Sequence, residues 1–267
     1  WLADVHRHAP TAGSIITSGI WLNLGIYGIL KFCLPLFTEP LQLMEEYLAL
    51  LAIGAILYGG LLALSEFELP RLLAFATVSQ IGLITLGFST LTVAGVGGGV
   101  VHMVNRGVLM AGLFAVVGIL RARGLEEERG LVRNYPRICA ALLVLVIASV
   151  GVPGLNAFAG HISIVLGAVE RNIGYAIAAV CGLLLVGASL LRRYQSLALG
   201  APNGKVPGDD LRRRELAVLV PLFICILWIG LNPRVLLDKM AHSVEQILVS
   251  ADIDRGSSPK MSKEGGP

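Results

Sequence analysis

Charged residues are scarce in this chain of 267 residues. They make up 15% of the sequence, whereas soluble globular domains carry about 25%. Hydrophobic residues make up 55%, and the mean hydropathy is +0.76. A soluble fold of this length would have too few polar residues to cover its core, so the composition excludes a soluble enzyme and predicts a lipid bilayer as the solvent. The net charge of +3 is too small to indicate nucleic-acid binding.

Recognisable cofactor motifs are also missing. The sequence has no dinucleotide-binding, phosphate-loop, iron–sulfur or haem pattern, and Gly97-Gly98-Gly99 lies inside an apolar segment with no strand before it. The cysteines are widely separated and lie in or beside apolar segments, which predicts buried or lipid-facing thiols; they are Cys33, Cys139, Cys181 and Cys225. We therefore expect no cofactor, no metal and no catalytic residue in this chain.

The two ends of the sequence are unlike its middle. The chain begins at Trp1 rather than Met, and no charged segment is followed by a short cleavable apolar stretch. We therefore expect no signal peptide and an incomplete N-terminus. Residues 250–267 are polar and rich in Gly, Pro and Ser, which predicts a disordered tail after a transmembrane domain over 1–249.

Long apolar segments dominate that domain. A helix that crosses a bilayer needs roughly 20 apolar residues, and small residues within such helices favour close packing into a bundle. The sequence therefore predicts an all-α membrane protein, a polytopic bundle of transmembrane helices. The seven apolar segments are 11–34, 47–64, 69–88, 93–120, 138–169, 174–191 and 215–232.

The fifth apolar segment is too long for one straight helix. Its middle, residues 152–160, reads VPGLNAFAG and contains a proline, two glycines and an asparagine. This composition predicts one discontinuous helix, whose freed backbone groups are tolerated only inside protein or beside water. Such a break marks the ion path in many transporters. A simple kink between two packed half-helices explains the same residues.

Positive charge in the loops predicts the orientation of the bundle. With alternating spans, one side receives most of the basic residues, and the basic side of a membrane protein is cytoplasmic. The fragment's N-terminus is then cytoplasmic and its C-terminus outside. The richer side carries Arg7, Arg71, Arg121, Arg123, Arg129, Arg133, Arg137, Arg192, Arg193, Lys205, Arg212, Arg213 and Arg214, and the other carries Lys31, Arg171, Arg234 and Lys239.

A few polar side chains lie inside the predicted spans, where they are costly and indicate function by default. The spacing of His102 and Arg106 places them on one helix face, and no carboxylate lies deep enough in a span to pair with Arg106. For Asn23 an interhelical hydrogen bond, and for each histidine a satisfied neutral imidazole, are alternative interpretations. The candidates are Asn23, His102, Arg106 and His161.

Four ordered motifs resemble the antiporter-like membrane subunits of NADH–quinone oxidoreductase (respiratory complex I). Residues 1–14, WLADVHRHAPTAGS, resemble the family's WLPDAHxxAPTAGS signature, and residues 69–82 resemble its DxKRLIAYSSVSHMG helix. Residues 152–160 resemble its GxPGxxxFxGE break, and residues 211–233 resemble its last helix. The resemblance extends from residue 1 to about 245 and is strongest to the subunit M (chain 4) family, of which this chain would be the C-terminal part.

The resemblance implies an antiporter-like fold of inverted repeats, other membrane-arm subunits as partners, and the cell inner (cytoplasmic) membrane as location. It also implies three proton-relay positions, which here read Asn23 for a lysine, Arg106 for a histidine and His161 for a glutamate. An asparagine carries no proton and an arginine does not release one, so the usual relay is substituted. By the same resemblance, Asp4 and His6 lie in an inter-repeat loop at the cytoplasmic mouth.

Several functions are compatible with these observations. The leading interpretation is a membrane-arm subunit of a proton-translocating NADH–quinone oxidoreductase that has no redox chemistry of its own. The alternatives are a multisubunit cation/proton antiporter, a membrane hydrogenase, an inorganic-carbon uptake complex, or a non-transporting scaffold. A rewired proton path through His102 and His161 is a further alternative to the loss of transport.

Overall fold

A computed structural model describes residues 1–33, 36–200 and 210–250 of the chain. These residues form helices joined by short connections, and they contain no strand, so the predicted all-α class is confirmed. The helices are α1 (Leu2–His8), α2 (Thr11–Cys33), α3 (Thr38–Ser65), α4 (Leu69–Ser89), α5 (Val93–Ala122), α6 (Pro136–Val150), α7 (Asn156–Arg171), α8 (Ile173–Leu199), α9 (Arg213–Leu231) and α10 (Pro233–Ser250).

Six helices in the described part of the chain are long and apolar enough to cross a membrane: α2, α3 from Leu43, α4, α5, α8 and α9. Helices α6 and α7 are shorter, and together they correspond to the fifth predicted segment. The chain between them leaves the helical path at Gly151 and Gly154, whose φ angles of 87° and 92° belong to the left-handed region that glycine tolerates. The predicted discontinuous helix is therefore present.

Helices α4 and α5 form the centre of the bundle. Most of their residues are buried, whereas α2 and α9 are buried over only a small part of their length. Backbones approach closely at small residues: a Cβ at Gly98 of α5 would lie 2.6 Å from the Ser163 Cβ of α7. Because apolar side chains gain little from leaving lipid, such close packing holds the helices together. Helix α5 therefore lies in the interior of the bundle, where it packs against α4 and α7.

Most of the basic residues gather at one end of the bundle, here called the arginine-rich end, where α2 and α9 begin and α5 and α8 finish. An ion pair joins Arg7 to Glu68 across 3.0 Å, and another joins Arg123 to Glu215 across 2.6 Å. Arg121 donates to the Ala9 carbonyl across 3.2 Å and so ties α1 to α5. The contacts confirm that these arginines share one end, as the alternation of spans predicted.

Some boundaries differ from the prediction. Residues 2–8 form the helix α1, so the expectation that Asp4 and His6 lie in a loop was wrong. Helix α8 continues to Leu199, and α10 was not predicted, because both segments are too polar to be recognised by hydropathy. The expected disordered tail and Lys205 lie outside the described residues, except that Ser250 ends α10.

The cysteines are free thiols, as expected. Cys139 is buried in α6, Cys33 is partly buried, and Cys181 and Cys225 lie on the outer surface of the bundle.

Candidate functional site: a polar layer inside the bundle

Helix α5 carries an unusual set of polar side chains near its middle. His102, Asn105 and Arg106 are all completely buried, and Arg106 is among the largest fully buried side chains of the protein. Residues three and four positions apart share one helix face, so the three side chains lie together. With their partners on α2 and α7 they form what is here called the polar layer: Asn23, His102, Asn105, Arg106, Asn156 and His161.

The crossing of α2 and α5 places Asn23 beside Arg106. The two helices meet at glycines, and a Cβ at Gly107 would lie only 2.9 Å from the Gly19 carbonyl oxygen. At this close approach the Arg106 Nη2 donates to Asn23 Oδ1 across 2.6 Å. Asn23 Nδ2 in turn donates to the carbonyls of Gly19, at 2.9 Å, and Met103, at 3.0 Å. The predicted interhelical hydrogen bond of Asn23 is therefore present, and its partner is the buried arginine.

Helix α7 begins at the other side of the polar layer. Asn105 Nδ2 donates to the Asn156 carbonyl across 2.6 Å, and Asn156 Nδ2 donates back to the Asn105 carbonyl across 3.3 Å. This reciprocal pair fixes the first turn of α7 against the middle of α5. Sequence reasoning identified Asn156 only as a helix breaker and missed Asn105, although Asn105 lies three residues after His102 on the same face.

The two central histidines face each other one turn further along α7. The ring centroids of His102 and His161 are 4.4 Å apart, and the rings are tilted by 57°. A Cβ at Gly160 would lie 2.7 Å from the His102 Cβ, so the absence of a side chain there allows this approach. His161 also packs against Gly151 at the helix break, whose absent Cβ would lie 2.5 Å from His161 Nδ1.

Several side-chain nitrogens of the polar layer have no hydrogen-bond partner among the described residues. Arg106 Nε and Nη1, both ring nitrogens of His102, and His161 Nε2 are buried and have no hydrogen-bond partner there. The described residues therefore offer His102 no hydrogen-bond partner of the kind that a satisfied neutral imidazole would have. Buried polar atoms are nearly always hydrogen-bonded in native proteins, so these atoms make the polar layer an unusual part of the interior.

A small void lies between α4 and α8. It measures about 10 Å³, enough for about one water molecule, and its lining includes Ser79, Gln80 and Ser149. Thr77 donates to the Met110 sulfur across 3.6 Å, so the antiparallel course of α4 and α5 brings Gln80 to the level of Arg106. Gln80 occupies the place of the histidine in the SHMG motif that this helix resembles. Its side-chain oxygen is buried and has no partner among the described residues.

Asp4 and His6, the two accessory candidates near the N-terminus, lie in different surroundings. Asp4 is exposed, and its backbone carbonyl accepts a hydrogen bond from His8 Nδ1 across 2.9 Å. His6 is buried: its ring lies 4.5 Å from that of Phe114, and its Nε2 is 3.4 Å from the Ser18 Oγ. Burial lowers the pKa of His6 to about 4, so this imidazole is neutral at physiological pH. The structure thus places His6 inside the arginine-rich end and leaves Asp4 outside it.

Comparison with known proteins agrees with this architecture. The sequence model of the family described as "NADH:quinone oxidoreductase/Mrp antiporter, TM" matches residues 1–186. The chain belongs to this family. The match to the NADH:quinone oxidoreductase/Mrp antiporter family covers α1 to α7 and therefore every residue of the polar layer.

Relatives within the family are similar over almost the whole chain. It is 32% identical over 260 residues to NADH-ubiquinone oxidoreductase chain 4 of Marchantia polymorpha, covering 95% of this chain and 52% of that protein. It is 33% identical over 255 residues to NADH-quinone oxidoreductase subunit M of Rickettsia felis, covering 93% and 52%. The chain therefore spans about half the length of the curated relatives it matches.

Solved structures confirm the antiporter-like fold. A chain of respiratory complex I from Thermus thermophilus superposes with a TM-score of 0.77 at 28% identity, covering 84% of this chain and 49% of that one. A chain of the Mrp complex from Dietzia sp. DQ12-45-1b superposes with a TM-score of 0.86 at 20% identity, covering 94% and 57%. The second likeness concerns the fold alone.

Proposed function

We propose that this chain is a non-redox part of the membrane arm of an NADH–quinone oxidoreductase and that its polar layer does not relay protons by the family's usual route. The first half of the proposal is supported by family membership and by relatives named chain 4 and subunit M. In this assignment the neighbouring membrane-arm subunits are its partners, and electrons pass through other subunits. The arginine-rich end faces the cytoplasm of a bacterial inner membrane, in accordance with the distribution of basic residues.

The second half rests on one contact, the 2.6 Å hydrogen bond from Arg106 to Asn23. In the family that the sequence resembles, a lysine stands where this chain has Asn23. The ammonium of that lysine both carries a positive charge and releases a proton. Here the positive charge lies at the same place but comes from α5, on a guanidinium that is not deprotonated in proteins. The layer has therefore kept a cation and lost a proton donor.

The fixed charge opposes transport through the layer. A proton or metal cation that crosses this region passes a buried guanidinium, and electrostatic repulsion is strong in such a poorly screened interior. The side chains of the layer that can both accept and release a proton are His102 and His161. They form a pair on the α7 side of Arg106, and a path through them alone bypasses Asn23. The interpretation that the layer no longer relays protons therefore needs fewer assumptions than a new proton path through His102 and His161.

Reversion of the three relay positions tests this proposal. The triple variant Asn23→Lys, Arg106→His, His161→Glu and the native protein are reconstituted in liposomes, and proton uptake is followed with an internal pH dye under an imposed potential. We expect slow uptake by the native protein and faster uptake by the triple variant. Uptake by the native protein that equals that of the variant would refute the loss of relay. Arg133→Gln, on an exposed residue at the arginine-rich end, is the matched control.

A cation/proton antiporter complex is the second candidate, since the family description includes the Mrp antiporters. Purification of the tagged protein from its native membrane separates the two assemblies. Co-purification of NADH–quinone oxidoreductase activity supports the first assignment, and co-purification of antiporter subunits without that activity supports the second. A chain recovered with neither would be a scaffold outside both machines.

A further inference from the structure

The void between α4 and α8 has room for a single small molecule. Its volume of about 10 Å³ matches one water molecule, so a lipid tail or a polyatomic solute is too large for it. Helices α3 and α8 touch at its edge, because a Cβ at Gly182 would collide with the Ile56 side chain. Four helices contribute to its lining, which includes Ile56 of α3, Ser79 and Gln80 of α4, Ser149 of α6 and Gly182 of α8.

Two serine hydroxyls of this lining are left as hydrogen-bond acceptors. The Ser79 Oγ donates to the Ile56 carbonyl across 2.8 Å. The Ser149 Oγ donates to the carbonyl of Leu145, one turn earlier in α6, also across 2.8 Å. A hydroxyl has one hydrogen and two lone pairs, so each serine has committed its donor and keeps acceptor capacity. A molecule in the void that donates hydrogen bonds therefore meets two acceptors.

The third polar group of the lining is the amide of Gln80. This side chain is 3% exposed, and its Oε1 has no hydrogen-bond partner among the described residues. A half-turn about the last side-chain bond exchanges the amide oxygen and nitrogen, so the group presents either an acceptor or a donor to the void. Because buried polar groups are nearly always hydrogen-bonded, an unpartnered amide beside a void of this size points to a ligand inside it.

The chemistry of the lining selects water as that ligand. No carboxylate is among the described residues that line the void, so a cation there would be an uncompensated charge inside the membrane. A dry cavity is expected where the lining is apolar, whereas a buried water makes about three hydrogen bonds to polar groups. The two hydroxyls and the amide supply those three partners.

We propose that this void is a binding site for one water molecule, held by Ser79, Ser149 and the Gln80 amide. Ser149 lies in the last turn of α6, directly before the helix break, so the water joins the middle of α4 to the end of the first half-helix. Its role is to fix the position of the break. The proposal concerns a structural ligand, so it stands or falls independently of proton transport.

Two buried serines provide a matched test. Ser149 and Ser189 are each 2% exposed, and each donates to a carbonyl of its own helix, but Ser189 does not line the void. Ser149→Ala and Ser189→Ala therefore lose the same kind of intrahelical bond, and only Ser149→Ala removes a partner of the water. In equilibrium unfolding of the full chain in mixed micelles, we expect Ser149→Ala to lower the folded-to-unfolded ratio about fivefold more than Ser189→Ala. Equal effects of the two substitutions would overturn the proposal.

Direct detection uses the native protein and so does not depend on the folding of a variant. A density map at a resolution that shows ordered waters is expected to contain one peak within hydrogen-bond distance of Ser79 Oγ, Ser149 Oγ and the Gln80 amide. A map that shows ordered waters elsewhere in the interior and none in this void contradicts the proposal. A map in which the three side chains bond one another directly contradicts it as well.

Discussion

The contact between Arg106 and Asn23 leads to the sharpest prediction for stability. Two substitutions at position 23 change the environment of the buried guanidinium in opposite directions. Asn23→Leu keeps a similar volume but removes the acceptor of the 2.6 Å hydrogen bond. Asn23→Asp keeps the shape and converts the acceptor into an anion beside the same nitrogen.

The expected magnitudes follow from the geometry. A hydrogen bond to a charged group contributes about 1.5–3 kcal/mol, and Asn23→Leu loses it while it regains about 1 kcal/mol from a partly buried apolar side chain. We therefore expect a loss of about 1–2 kcal/mol in the free energy of unfolding. In Asn23→Asp, opposite charges near contact gain about 4 kcal/mol at an effective dielectric constant of about 20, and desolvation of the carboxylate offsets part of this gain. The free energy of unfolding of the aspartate variant should exceed that of the leucine variant by about 3 kcal/mol.

Both variants are compared with the native protein by equilibrium unfolding in mixed micelles, followed by circular dichroism. A leucine variant as stable as the native protein, or an aspartate variant less stable than the leucine variant, would show that Arg106 is not an uncompensated charge held by Asn23.

Three further predictions concern packing and pH. Gly98→Ala should destabilise the bundle by about 1–3 kcal/mol, because the added Cβ would lie 2.6 Å from α7, whereas Gly97→Ala, which meets open space, should be nearly neutral in the same unfolding assay. The lowered pKa of His6, about 4, means that the unfolded chain binds a proton more readily between pH 6.5 and 4. Unfolding free energies measured across this window should fall as the pH falls, and His6→Gln should flatten the fall. Gly151→Ala should cost about 1 kcal/mol or more, because its φ of 87° is left-handed and its Cβ would collide with His161; a cost of zero in thermal unfolding would contradict the helix break between α6 and α7.

Hydropathy and helix-breaking residues were sufficient to predict the class of the fold and its break. The span α5 was predicted at 93–120 and ends at Ala122, and the break predicted around Pro153 and Gly154 lies between α6 and α7. These features depend on local composition. Helices α1 and α10 were not predicted, because one is short and the other carries too many polar residues for a span.

The contacts of the site were harder to predict than its members. The motif resemblance marked Asn23, Arg106 and His161 as related positions, but no spacing in the sequence indicates that Arg106 hydrogen-bonds Asn23, 83 residues away. That contact depends on the close crossing of α2 and α5 at glycines. The Asn105–Asn156 pair depends in the same way on where α7 restarts, and that register is decided by tertiary packing.

A fixed charge on Arg106 is proposed to replace the proton relay of the polar layer. The most direct test of this replacement is the number of protons translocated per NADH oxidised by the intact assembly in closed vesicles, with the native chain and with the triple variant Asn23→Lys, Arg106→His, His161→Glu. We expect a higher ratio for the triple variant at an unchanged rate of NADH oxidation in uncoupled vesicles. Equal ratios, with the native assembly translocating as many protons as the variant, would contradict it.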